Sequence, residues 1–388
     1  MKPFIYLDNS ATTRVLPSVI DTIARVMRET DWNPSALYHP AIEAERIVSN
    51  CRETLRSRLD ADRVIFTSGG TEADNLGILG VAERLRKPGV FLLSAAEHAA
   101  VLEQRAALES HGHTVKIIPL TREGLVDLDA LHTLITLEVT LIAIMEVCNE
   151  TGTVQPLSNI IKMRDAANPA ALLFVDGVQG FLRSAGHHGI VGRGADLYSL
   201  SAHKIHGPKG VGALALSKRV RLNPRTYGGG QESGLRSGTE NVTGIAGLHA
   251  AIDAFDHCGF DITSTLRAKK LRLINALLES IPGLQINGPD PADTDSAPHI
   301  VNFSPPGIGG EVLVHALEFE GVYVGTGSAC SSKKHTRSQG FQSMGITQDR
   351  ADRAVRVSLS PWTTVEELDI AANAIIKAYQ AIYPYRKR

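Results

Sequence analysis

From about Pro17 to Phe255, short apolar runs alternate with amphipathic stretches, and this alternation limits the chain to few folds. Val64-Ile65-Phe66-Thr67 reads as a buried strand. Ser68-Gly69-Gly70 follows it, and then a helical stripe of Leu76, Leu79, Ala82 and Leu85. The unit recurs at Val90 to Leu93 with a helix from about Ala99, at Val115 to Ile118, and at Val139 to Val147 with a helix near Ile160. It recurs again at Ala171 to Val175 and at Asp196 to Leu200. Apolar runs without a polar face belong to strands covered on both sides, so the pattern predicts an α/β fold around a mostly parallel sheet. Ligands of such sheets bind beyond the carboxyl ends of the strands.

The pattern changes after a helical stretch from about Glu240 to Glu279. His299 to Phe303, Glu311 to Glu320, Val322 to Val324, Ala354 to Leu359 and a final helix from about Thr364 are more widely spaced. They suggest a smaller α+β domain. We therefore expect a large domain over residues 15–255 and a small one over 256–388 that includes residues 1–14.

Composition excludes several classes of function. A net charge of −1 provides no bulk positive field for nucleic acid or an anionic membrane. The most apolar window, Val139 to Val147, falls far short of the roughly 20 residues that span a bilayer. No export segment is legible near Met1, so a cytoplasmic location is expected. Cys51, Cys148, Cys258 and Cys330 form no CxxC pair and no metal-ligand spacing, which predicts reduced thiols and no metal. Cys51 shares a stripe with Ile47, Leu55 and Leu59 and reads as core; Cys148 and Cys258 read as structural.

Three strand ends carry chemistry. Thr67-Ser68-Gly69-Gly70-Thr71-Glu72 is a glycine turn into a helix; it is either a plain connection or a phosphate seat built from free amides and the Thr71 hydroxyl. Asp176 ends a fully apolar strand, where a carboxylate caps the next turn or faces a ligand cation. Ser201-Ala202-His203-Lys204 ends another, and desolvation of a lysine there lowers its pKa toward that of a Schiff-base amine. A carboxylate for a ring nitrogen, an amine for an aldehyde and a phosphate seat are together what pyridoxal phosphate needs.

These stretches, read in order, resemble the cysteine desulfurases of the NifS/IscS type, class V aminotransferase-fold enzymes of pyridoxal-phosphate fold type I. The matching segments are Tyr6 to Thr13, Asn33 to Ser35, Phe66 to Asn75, Glu97-His98, Asn149 to Gly152, Val175 to Gln179, Ser201 to Gly210, Gly228 to Glu232, Arg236 to Thr239, Gly327 to Cys330, and Arg356. The resemblance implies that Lys204 holds the cofactor and moves protons, and that Asp176 pairs with its ring nitrogen. It also implies that His98 stacks on the ring and that Asn149 and Gln179 bond its oxygen. Thr71, Ser201 and His203 would hold the phosphate, and Thr239 would reach the phosphate of a neighbouring subunit, which implies a homodimer. Arg356, with Asn149, would bind the substrate carboxylate; a guanidinium fork suits it.

Cys330 discriminates the reaction. It sits in Gly325-Thr326-Gly327-Ser328-Ala329-Cys330-Ser331-Ser332, a run too rich in Gly and Ser for a rigid element. The resemblance implies that it takes sulfur from L-cysteine as a persulfide, leaves L-alanine, and hands the sulfur to an acceptor in iron–sulfur cluster assembly or tRNA thiolation. The alternatives are a selenocysteine or cysteine-sulfinate lyase, an aminotransferase, or a non-catalytic scaffold protein. Cys148 and Ala202 stand where the family commonly has Asn and Gly, and the Ser331 to Arg337 segment is unusually basic.

Overall fold

The structure is a computed structural model that describes residues 4–326 and 338–385. After a two-residue strand β1 (Ile5–Tyr6), seven strands build the main sheet: β2 (Arg63–Thr67), β3 (Val90–Ser94), β4 (Thr114–Ile118), β5 (Val139–Met145), β6 (Leu172–Asp176), β7 (Leu197–Ser201) and β8 (Gly212–Leu216). Their spatial order is β2-β8-β7-β6-β5-β3-β4. The four pairings from β7 through β6, β5 and β3 to β4 are parallel, and β8 alone runs against its neighbours β7 and β2.

The physical reason for the apolar runs is visible in the packing. Leu92, Ile142, Ile144, Leu173 and Val175 face one buried cluster, while Phe91, Leu93, Leu141, Ala143 and Phe174 face another on the opposite side of the sheet. Alternate residues of each strand point to opposite faces, so a sheet covered twice needs apolar residues at every position. The expected mostly parallel α/β architecture is the one found.

A second sheet, of order β12-β13-β10-β9, is antiparallel throughout: β9 (Gln285–Ile286), β10 (Ile300–Ser304), β12 (Gly325–Thr326) and β13 (Val355–Ser358). A short strand β11 (Val322–Tyr323) pairs in parallel with β1. This second region has its own apolar core around Leu273, Phe303, Leu317, Val357 and Ile375. The single long helix expected from Glu240 to Glu279 is two helices, Val242–Asp256 and Ile262–Ser280. Gly259, at φ 78°, breaks the helical path, and Asp261 caps the second helix by accepting the Ser264 amide at 2.6 Å. The apolar stripe hides this break because it resumes in phase on the far side. No helix among the described residues is long and apolar enough to cross a membrane.

Candidate active site

The chain leaves β1 as an irregular segment that crosses between the two regions. Asn9 donates to the Ser358 carbonyl at 2.8 Å, and the Thr13 amide donates to the His203 carbonyl at 2.9 Å. Residues 8–13 therefore lie over the carboxyl ends of β6 and β7. A cavity of about 320 Å³ opens there. Among its lining residues are Thr71, His98, Asn149, Asp176, Gln179, Ser201, His203, Lys204 and Arg356, drawn from segments up to 285 positions apart (356 − 71).

Each side chain arrives on its own element. Asp176 is the last residue of β6, and its Oδ1 accepts the Val178 amide at 2.9 Å. Asp176 thus caps the turn that follows it and also lines the cavity. Burial raises its pKa, while the Val178 amide, His98 and Lys204 oppose that rise. Gly70, at the start of the helix carrying Thr71, sits so close to Val178 that an added Cβ would meet its Cγ2 at 2.6 Å. The absent side chain brings the helix start onto the Asp176 turn.

Lys204 follows β7 in a tight turn, Ala202–Lys204. Its Nζ donates to the Ser10 carbonyl at 2.5 Å and the Ala11 carbonyl at 2.9 Å. Burial first, then the charges of Arg183 and Arg356, lower its pKa to about 7, with Asp176 and Asp8 pulling the other way. His98 caps the short helix Ala99–Leu102, its Nδ1 accepting the Ala100 amide at 3.1 Å, so the neutral ring carries its proton on Nε2. Burial lowers its pKa and favours that neutral ring. His203 is bonded to Thr12 Oγ1 at 3.1 Å, and burial together with the Lys204 charge lowers its pKa to about 4.

Two residues are already engaged. Gln179 donates to the Ser10 carbonyl at 2.9 Å and accepts from Arg183 Nη2 at 2.6 Å, which orients its amide and leaves one N–H for a ligand. Arg356, 2% exposed on β13, gives Nη1 to the Asn149 carbonyl at 2.9 Å and Nη2 to Asp8 Oδ1 at 2.7 Å. Its Nε has no hydrogen-bond partner among the described residues.

Thr239 is exposed and does not line this cavity, and Cys330 lies outside the described residues. Ser10, Ala11 and Asp74 line the cavity without having been singled out from the sequence. Ser10 and Ala11 act through backbone carbonyls, which no side-chain pattern signals. Asp8 and Arg183 were missed because their work depends on partners 348 and 4 positions away. Cys51 is fully buried and its thiol is pushed far up by burial, as its place in an apolar stripe implies.

Residues 5–370 match the family described as Aminotransferase class-V. The chain is 36% identical to the cysteine desulfurase IscS of Dictyoglomus turgidum, over 100% of this chain and 98% of that relative. It is 37% identical to a NifS/IcsS protein homolog of Lactobacillus delbrueckii subsp. bulgaricus, over 97% of each. Among solved structures, one described as a NifS-like protein superposes with a TM-score of 0.87 at 31% identity, covering 98% of this chain and 100% of that one. A NifS-like protein from Rickettsia africae superposes at 0.83 with 27% identity, over 98% and 100%. With its strand-end amine and carboxylate in one cavity and full-length matches of this kind, the chain belongs to the class-V aminotransferase family, in its NifS/IscS cysteine desulfurase branch.

Proposed function

We infer that the chain is a pyridoxal-phosphate-dependent cysteine desulfurase. It converts L-cysteine to L-alanine and takes the sulfur on Cys330 for delivery to an acceptor protein of iron–sulfur cluster assembly or tRNA thiolation. The observation that carries this reading is the meeting of Lys204, Asp176 and Arg356 around one cavity: an amine that titrates near neutrality, a buried carboxylate and a guanidinium fork.

The residues present fit the cofactor. The cavity is of the size that small cofactors occupy. Thr71, Ser201, His203 and the helix start at Gly70 offer hydrogen-bond donors suited to a phosphate, and the buried Ser10 hydroxyl lacks a partner among the described residues. Asp176 is the anion suited to a protonated ring nitrogen. When bound, pyridoxal phosphate supplies the electron sink for carbanion chemistry at the substrate carbons.

The rest falls to the protein. Arg356 binds the substrate carboxylate, with Asp8 and the Asn149 carbonyl holding its fork in place. Lys204 accepts a proton at Nζ and returns it to carbon, which requires an amine free of charge near pH 7. His98 and Asn149 complete the wall on the substrate side. The Cys330 thiolate attacks the substrate sulfur: an S–S bond forms, the C–S bond breaks, and its electron pair stays on carbon, which takes up a proton to give alanine. Thr239 is assigned to the phosphate of a second copy, so the working unit is a homodimer, with residues 15–255 as the cofactor domain and 256–388 plus 1–14 as the small domain.

The direct test is to incubate purified protein with L-cysteine, measure alanine, and examine the Cys330 peptide by mass spectrometry for one added sulfur. Full alanine production by Cys330→Ala would exclude the persulfide route. Two further results are expected. Only a neutral amine captures an aldehyde, so capture of pyridoxal phosphate by the apoenzyme, followed by absorbance, rises with pH and levels off above about 7. An ordinary lysine would keep gaining toward ~10.4. Replacing Arg356 by Lys removes the bidentate fork and raises KM for L-cysteine about tenfold or more, with a smaller change in kcat.

A further inference from the structure

Asp176 does not stand alone at the base of the cavity. The strand register sets Met145 of β5 on one side of it and Ser199 of β7 on the other. Two further buried carboxyls, Glu97 and Asp74, feel its charge. Glu97, 5% exposed, accepts the Met145 amide on Oε1 at 2.5 Å, and its Oε2 has no partner among the described residues. Asp74, 1% exposed on the Gly70–Ala82 helix, lines the same cavity as Asp176, and neither its Oδ1 nor the buried Ser199 hydroxyl has a hydrogen-bond partner among the described residues.

Two neighbouring carboxylates that are both buried do not readily ionise together. The donors around them decide which one keeps the charge. Asp176 has the Val178 amide at 2.9 Å and the positive side chains of its surroundings, His98 when protonated and Lys204. The charges that act on Asp74 are those of the like acids Asp176 and Glu97. Glu146, the other buried acid near Asp176, is held by Ser184 at 2.5 Å and Tyr198 at 2.6 Å.

We propose that Asp74 is a positioning residue for Asp176: it holds the proton of the Asp74–Asp176 pair and leaves Asp176 as the single anion at the cavity base. Burial and the Asp176 charge push the Asp74 carboxyl well above its usual range, in the same direction. The consequence for catalysis rests on the reading of Asp176 as the partner of the cofactor's ring nitrogen. One anion there keeps that nitrogen protonated. A second anion would change its protonation range.

The test has two parts. In apoenzyme carrying 13C-carboxyl aspartate at pH 7, the infrared band of a protonated aspartic acid is expected in the wild type and lost in Asp74→Asn. Absence of that band from the wild type, or its persistence in Asp74→Asn, overturns the proposal. Pyridoxal phosphate is then titrated into wild type, Asp74→Asn and Asp74→Ala and followed by absorbance. The neutral isostere is expected to bind within about threefold of wild type with the same pH dependence of the bound absorbance, whereas the alanine variant, which leaves a void in the cavity wall beside Asp176, binds about tenfold more weakly. A displaced pH dependence in Asp74→Asn, or wild-type affinity in Asp74→Ala, overturns it. Should even the wild type fail to bind the cofactor, the cofactor reading falls, and the infrared result still decides where the proton resides.

Discussion

Replacing Lys204 by alanine lowers alanine formation from L-cysteine by about three orders of magnitude or more, the scale of losing a positioned acid–base group together with its covalent hold on the cofactor. The side chain is built for this task by its surroundings. It leaves the end of a buried strand, among the described residues it bonds two backbone carbonyls and no carboxylate, and Arg183 and Arg356 add positive charge nearby. These features cost a charged ammonium more than a neutral amine. The fold should tolerate the change, because the two carbonyls released, those of Ser10 and Ala11, line an open cavity. Ser10 O also keeps its bond from Gln179. The variant therefore unfolds in urea with nearly the wild-type midpoint while losing the absorbance of covalently held cofactor. Activity within tenfold of wild type would remove Lys204 from the mechanism.

Asp196→Ala is expected to have the largest effect on stability, with a loss of about 3–5 kcal/mol. Asp196 precedes β7, at the opposite end of the strand from Ser201. Its Oδ2 accepts from Arg164 Nη1, Arg219 Nη2 and the Leu173 amide, each at 2.8 Å, and its Oδ1 accepts from Arg219 Nε and from Ser217 Oγ at 3.1 Å. Arg164 is 3% exposed, so removing the carboxylate leaves a buried guanidinium whose one other anion among the described residues is the largely exposed Asp165, bonded to its Nε at 2.6 Å. Urea unfolding at pH 7 measures the loss, and a wild-type midpoint would show that the network adds nothing.

The same residue gives a pH signature. Burial alone would raise its pKa, but the hydrogen bonds from Arg219 and Leu173 and the arginine charges outweigh burial and hold it below the ordinary carboxylate range. A depressed folded-state pKa contributes stability that is complete above the unfolded value of ~3.9 and is lost as pH falls through the folded value. Asp196→Asn therefore declines less steeply than wild type below about pH 4 in acid unfolding.

The strands and the two central site residues were legible because burial on both faces leaves a continuous apolar run, and a charged residue that ends such a run stands out. Asp176 and Lys204 are of that kind. Asp74 is not: it lies in a helix packed on nearly all sides, where ten of thirteen residues are buried and the stripe gives no hint of a carboxyl aimed at a cavity. The Gly259 break passed unread because both flanking helices continue one amphipathic pattern. The ion pair between Asp8 and Arg356 joins positions 348 residues apart, and the residue types alone do not announce it.

The order of apolar runs and the polar residues that end them were enough to specify a doubly covered parallel sheet with chemistry at its carboxyl edge, because strand period and strand direction are local properties. Which groups meet there was decided only by folding. The N-terminal segment has to cross from the small sheet before the Ser10 and Ala11 carbonyls can hold Lys204, and β13 has to pack beside it before Arg356 reaches the cavity. Desolvation and charge coupling act through space, so the neutral amine and the crowded acids exist only once those distant pieces are in place.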